Sequence, residues 1–169
     1  MNTVEWLNDH APGFADLTIN EREAITHFAL LWSLFESDAL NSSGSAKAIV
    51  NLAAYWVTQG APAKDTFAES VAYFRNRYVK DGAFTDHFDH LHFRNGDRQE
   101  LVERVLKGES DDPSEAAAAV LIVVYRYRNN YLHGMKWAYR MKDQLENFTH
   151  ANTALIKALE LHHRFGSAP

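Results

Sequence analysis

The sequence predicts an all-α fold, an up-and-down bundle of about five to seven helices. Three observations predict it. Apolar residues recur at three- and four-residue intervals through most of the chain. Capping residues and glycine or proline stops punctuate those stretches. No segment alternates apolar and polar residues as a half-buried strand would. The 169 residues fit one domain, 1–169, with 1–17 as an N-terminal extension.

Taken in order, residues 1–17 carry one short helical turn around Val4–Leu7, ended by Pro12-Gly13. Thr18-Ile19-Asn20-Glu21 and Asn20-Glu21-Arg22-Glu23 both fit a capping box. The helix that starts there runs to about Leu40, with Ala24, Phe28, Leu31, Phe35 and Ala39 at helical spacing. Glu36 falls four residues after Trp32, at the edge of that apolar surface. A carboxylate there needs a partner.

Ser45 caps a second helix, Ala46 to Thr58, stopped by Gly60 and Pro62. A third starts at Asp65 or Thr66, shows Phe67, Val71, Phe74 and Tyr78 on one face, and ends at Gly82. Residues 83–96 are rich in aromatics and histidine and read as a loop or short helix. Asp97 and Glu100 form a capping box for a helix to Lys107, closed by Gly108. Asp112-Pro113-Ser114-Glu115 opens the next helix with an N-cap, a proline at the first position and a glutamate at the third. The alanine run that follows has high helix propensity. A last amphipathic helix spans about Lys136 to Arg164, with Ala138, Met141, Leu145, Phe148, Leu155 and Leu159 on its apolar stripe.

Composition excludes several chemistries. Hydrophobic residues at 46% and charged residues at 23% are globular values, which argues against disorder. With no cysteine there is no disulfide, thiolate zinc site or cysteine nucleophile, as suits a reducing compartment. The first residues carry acids and lack a basic stretch followed by an apolar run, so no secretory leader is predicted. The longest apolar run, Ala116 to Tyr125, falls well short of the roughly 20 residues of a membrane span. The expectation is a cytoplasmic protein with no membrane partner.

The chain is organised around residues 116–137. Net charge is −5, yet 125–142 holds Arg126, Arg128, Lys136, Arg140 and Lys142 with no Asp or Glu. Such a basic island attracts phosphate where the whole molecule does not. On a helical wheel Val120, Val123, Val124, Tyr127 and Tyr131 form a core stripe. Leu121, Tyr125 and Leu132 form a second, which calls for neighbours within the bundle or across an oligomer interface. Arg128 lies between the stripes, and Arg126, Asn129, Asn130 and His133 occupy the polar remainder. Arg128 and His133 are about 140° apart, so a bend or a second copy of the helix must bring them together.

Histidine exchanges a proton near neutral pH. Arginine grips a phosphate through two prongs and stabilises charge developing on it. Together they suit metal-free RNA cleavage by the ribose 2′-hydroxyl. Arg126, Lys136 and Arg140 are candidate RNA contacts, and Tyr125 and Trp137 are candidate base-stacking residues.

The segment Arg128-Asn129-Asn130-Tyr131-Leu132-His133-Gly134 resembles the signature of HEPN domains, closest to the Apea-like subgroup. Phe28-Ala29-Leu30-Leu31-Trp32-Ser33-Leu34-Phe35-Glu36 is similar to the first helix of that family. The resemblance implies a dimer with two motifs in one cleft and a metal-independent endoribonuclease without cofactor, in toxin or phage-defence systems. It implies catalytic Arg128 and His133, Asn129 and Asn130 in support, and Glu36 orienting Arg128. It also implies RNA as partner, with an antitoxin or regulatory protein as a further one. Met135 stands where the nucleotide-transfer-regulated toxins carry tyrosine, so that regulation is not expected. Two alternatives stay open. One is a non-catalytic RNA-binding or dimerising scaffold that uses the same basic face. The other is a metal-dependent enzyme at His87, His90 and His92.

Overall fold

The computed structural model describes residues 2–132 and 144–166. In chain order it contains α1 (Thr3–His10), α2 (Ile19–Asp38), α3 (Ala46–Thr58), α4 (Ala68–Tyr78), β1 (Val79–Lys80) and β2 (Ala83–Phe84). These are followed by α5 (Asp86–Asp89), α6 (Gln99–Lys107), α7 (Pro113–Leu132) and α8 (Leu145–Phe165). The all-α expectation holds.

Local chemistry sets half of the described helix starts. Thr18 and Glu21 complete a reciprocal capping box, Glu21 N–H to Thr18 Oγ1 at 3.2 Å and Thr18 N–H to Glu21 Oε2 at 2.8 Å. Ser45 Oγ accepts from Ala48 N–H at 3.2 Å. Asp112 Oδ1 accepts from the Ser114 and Glu115 backbone N–H groups at 2.7 and 3.2 Å, which satisfies two orphan donors of α7. The Ser114 contacts hold the Asp112 carboxyl below its usual range.

Two expectations are corrected, and a third falls largely outside the described residues. The helix predicted to reach Gly82 stops at Tyr78, and an antiparallel hairpin pairs Val79 with Phe84 and Lys80 with Ala83. Asp81 and Gly82 take φ of 52° and 78°, a two-residue turn in the left-handed region that Asp-Gly adopts at low cost. Asp97 does not cap α6: Arg98, itself at φ 58°, is the N-cap and makes no side-chain cap bond. The Asp97 carboxylate accepts instead from Arg126 Nη1 at 2.9 Å and Arg94 N–H at 2.7 Å. The last helix, predicted from about Lys136, is described from Leu145; residues 136–143 lie outside the described residues.

Helix α7 is the axle of the bundle. Ala117 through Val124 are all at most 2% exposed, and α3, α4, α6 and α8 pack around them. An apolar helix buried all round needs neighbours on every side. The bundle supplies them for two members of the second stripe: Leu121 is fully buried, and the Tyr125 ring lies 5.9 Å from that of Trp32 on α2. The surrounding core includes Phe35, Trp56 and Phe74, each at 0% exposure. Truncating any one of them to alanine costs about 3–5 kcal/mol.

A buried polar chain fixes the ends of α7 and α8. Tyr127 Oη donates to Asn147 Oδ1 at 3.1 Å, and Tyr73 Oη donates to the same atom at 2.8 Å. Tyr78 Oη hydrogen-bonds Tyr127 Oη. Burial pushes the Tyr78 and Tyr127 hydroxyls above the usual tyrosine range, which keeps them protonated as donors. The start of α8 is thereby tied to α4 and to the last turns of α7.

Candidate functional site

The site grows from the contact between α2 and the end of α7. Glu36 follows Trp32 by one helical turn, and its Oε2 accepts from the indole Nε1–H at 2.9 Å. Arg128 reaches across from α7 and sets its Nη2 3.4 Å from the same oxygen, 92 residues away in sequence. Arg128 Nη1 donates to Asn129 Oδ1 at 2.9 Å. The guanidinium carbon sits 5.9 Å from the Trp32 ring. The carboxylate predicted to need a partner thus has an indole and a guanidinium.

Gly44 completes the cradle. A Cβ at that position would run into Glu36 Oε1, so only glycine lets the backbone pass this close to the carboxylate. Glu36 and Arg128 are half-buried, with side-chain exposures of 22% and 28%. A pair this exposed contributes about 1 kcal/mol or less to stability. Its consequence is orientation: the guanidinium plane is set while part of its donor fork stays accessible. Arg128 Nε–H is buried and has no acceptor among the described residues. Beside it is a cavity of about 250 Å³ lined by Phe28, Ala29, Trp32, Ser33 and Tyr131 together with the charged pair. Burial raises the Tyr131 hydroxyl, which is therefore a neutral wall at physiological pH.

The predicted polar side of α7 is not a free surface. Arg126 is 1% exposed. Its Nε donates to Leu91 O at 3.0 Å, its Nη2 to His92 O at 2.6 Å, and its Nη1 pairs with Asp97. The expectation that Arg126 contacts RNA is corrected: its donors are spent on the 91–97 loop. Asn130 is buried too and donates to the His90 and Leu91 carbonyls at 3.1 and 3.2 Å. It holds the same loop and does not face Arg128. Asn129, assigned to the same polar side, is buried as well, and its Oδ1 accepts from Arg128 Nη1. Tyr125 packs on Trp32. His133, Lys136, Trp137 and Arg140 lie outside the described residues.

Sequence reasoning missed three contributors: the Trp32 indole N–H, Gly44 and the Tyr131 wall. The Trp32–Glu36 spacing was a usable signal for the first. Gly44 had none, because its role depends on where α2 lies relative to the following turn.

His87, His90 and His92 form a loose string, with ring centroids 6.3 and 6.2 Å apart. Among the described residues no group of three His, Cys, Asp or Glu side chains is arranged to hold a metal ion. No helix among them is long and apolar enough to cross a membrane. Fold and site together define the class: a helical bundle with a buried central helix whose last turns present an arginine braced by a glutamate and a tryptophan. No protein-family model, curated protein or solved structure matches this chain.

Proposed function

We propose that this protein is a metal-independent endoribonuclease of the HEPN type, a cytoplasmic homodimer acting on single-stranded or looped RNA in a toxin or phage-defence setting. One observation carries the reading. Arg128, the arginine of the Arg-x4-His motif, is held by Glu36 and Asn129 with its Nε–H unspent, at the half-open end of the central helix. Its outer nitrogens stand at a partly exposed edge where a phosphate oxygen can reach them, unlike those of Arg126, which are hydrogen-bonded inside the molecule at 1% exposure.

In the proposed reaction Arg128 binds the scissile phosphate. His133 takes the proton of the ribose 2′-hydroxyl as the 2′-oxygen bonds to phosphorus. The bond to the 5′-oxygen breaks, that oxygen takes a proton from water, and His133 returns its proton to solvent. The products are a 2′,3′-cyclic phosphate and a 5′-hydroxyl end. No metal or cofactor enters these steps.

The test is cleavage of an unstructured RNA in EDTA by wild type, Arg128→Ala and His133→Ala. The expected loss is about a hundredfold or more in either variant. Equal rates from all three proteins exclude the reading. RNA binding that survives His133→Ala, with no cleavage by wild type, identifies the non-catalytic scaffold.

A further inference from the structure

Resting on the nuclease reading, we propose that the cavity beside Arg128 is a nucleobase subsite, which holds the base next to the scissile phosphate and gives cleavage its base preference. The cavity is about 250 Å³. That is below the roughly 300–1,000 Å³ of sites that swallow a drug-sized ligand. It has room for one planar ring system, not for a base with its sugar and phosphate. Its walls come from Phe28, Trp32 and Tyr131, three aromatic side chains on two helices, and from the small Ala29 and Ser33. Aromatic walls suit a base, whose faces are apolar and polarisable.

The lining also carries polar groups. The Ser33 hydroxyl and Glu36 carboxylate line the same cavity as Arg128. Arg128 Nε–H lacks an acceptor among the described residues. A base in the cavity lies beside the Arg128 guanidinium while its phosphate meets the outer prongs of the same group. One arginine would then read both halves of a nucleotide.

The filling variant is Ala29→Phe. Ala29 is exposed on α2, so a larger side chain is tolerated by the helix but occupies the cavity. The full chain is titrated calorimetrically with the four nucleoside 3′-monophosphates and with ribose 5-phosphate, which has no base. The expected result is that at least one nucleotide binds wild type about tenfold or more tightly than ribose 5-phosphate. In Ala29→Phe that advantage disappears, with the melting curve retained. Equal binding of all probes to wild type, no detectable nucleotide binding, or an advantage that persists in Ala29→Phe each overturns the subsite. These outcomes are separate from failure of the nuclease reading, which appears as RNA cleavage indifferent to Arg128→Ala.

Discussion

Two arginines two positions apart on α7 meet opposite fates. Arg126 points into the molecule, where desolvation pulls its pKa down and the Asp97 charge offsets only part of that. Arg128 lies at a half-open edge, where Glu36 orients it without consuming it. The orientation is vulnerable at Gly44, which lies against Glu36. Gly44→Ala places a methyl against the Glu36 carboxylate. The obstacle is the end of a flexible side chain, so Glu36 moves aside at a cost of about 1 kcal/mol or less to folding. The guanidinium then loses its brace, and misplacement at this scale lowers turnover by about tenfold or more. The expected pattern is a fall in kcat, with KM and the melting temperature close to wild type. Wild-type turnover in Gly44→Ala would show that the Glu36 position is irrelevant to the reaction.

At the scale of elements, α7 is both axle and clasp. Arg126 and Asn130 draw the 90–97 loop onto the helix, and that loop leads into α6. Arg126→Ala leaves the Asp97 carboxylate in a nearly dry site with only the Arg94 N–H, and leaves the Leu91 and His92 carbonyls without this donor. Removing one partner of a buried ion pair costs about 3–5 kcal/mol. Urea denaturation of Arg126→Ala is therefore expected to show a loss of that size, against about 1 kcal/mol or less for Arg128→Ala. An unchanged midpoint together with weakened RNA binding would return Arg126 to the RNA surface.

The same elements show what could be read in advance. Caps at Thr18, Ser45 and Asp112 were legible because donor and acceptor lie within three residues. Asp97 had an equally good local pattern and lost it to Arg126, 29 residues away, which no window reveals. The hairpin was legible in principle from Asp81-Gly82, but strands of two residues carry no alternation to notice. The wheel placed Arg128 between apolar stripes and predicted a partner for Glu36, and the ion pair joins the two. It misassigned Arg126, Asn129 and Asn130 to a polar surface; a loop, not another helix, covers Arg126 and Asn130.

Over the whole molecule, the bundle buries Val120, Val123, Val124, Tyr127 and Leu121 of the two apolar stripes of α7, so α7's hydrophobicity at these positions does not demand a second copy. The demand comes from the chemistry: Arg128 and His133 fall about 140° apart on a regular helix. If two subunits share the cleft, the arginine of one works with the histidine of the other. Mixing decides it. Arg128→Ala and His133→Ala are each inactive alone in the proposed mechanism. After subunit exchange half of the dimers are mixed, and each mixed dimer holds one intact arginine and one intact histidine on different chains. Working across the interface, such dimers recover up to about one quarter of wild-type cleavage, because each restores one of two equivalent pairs. Working within a chain, they recover nothing, because each chain lacks one member. Recovery that grows with exchange time and saturates at equal mixing is the expected outcome. A flat baseline, with exchange verified by mass, assigns the whole reaction to single subunits.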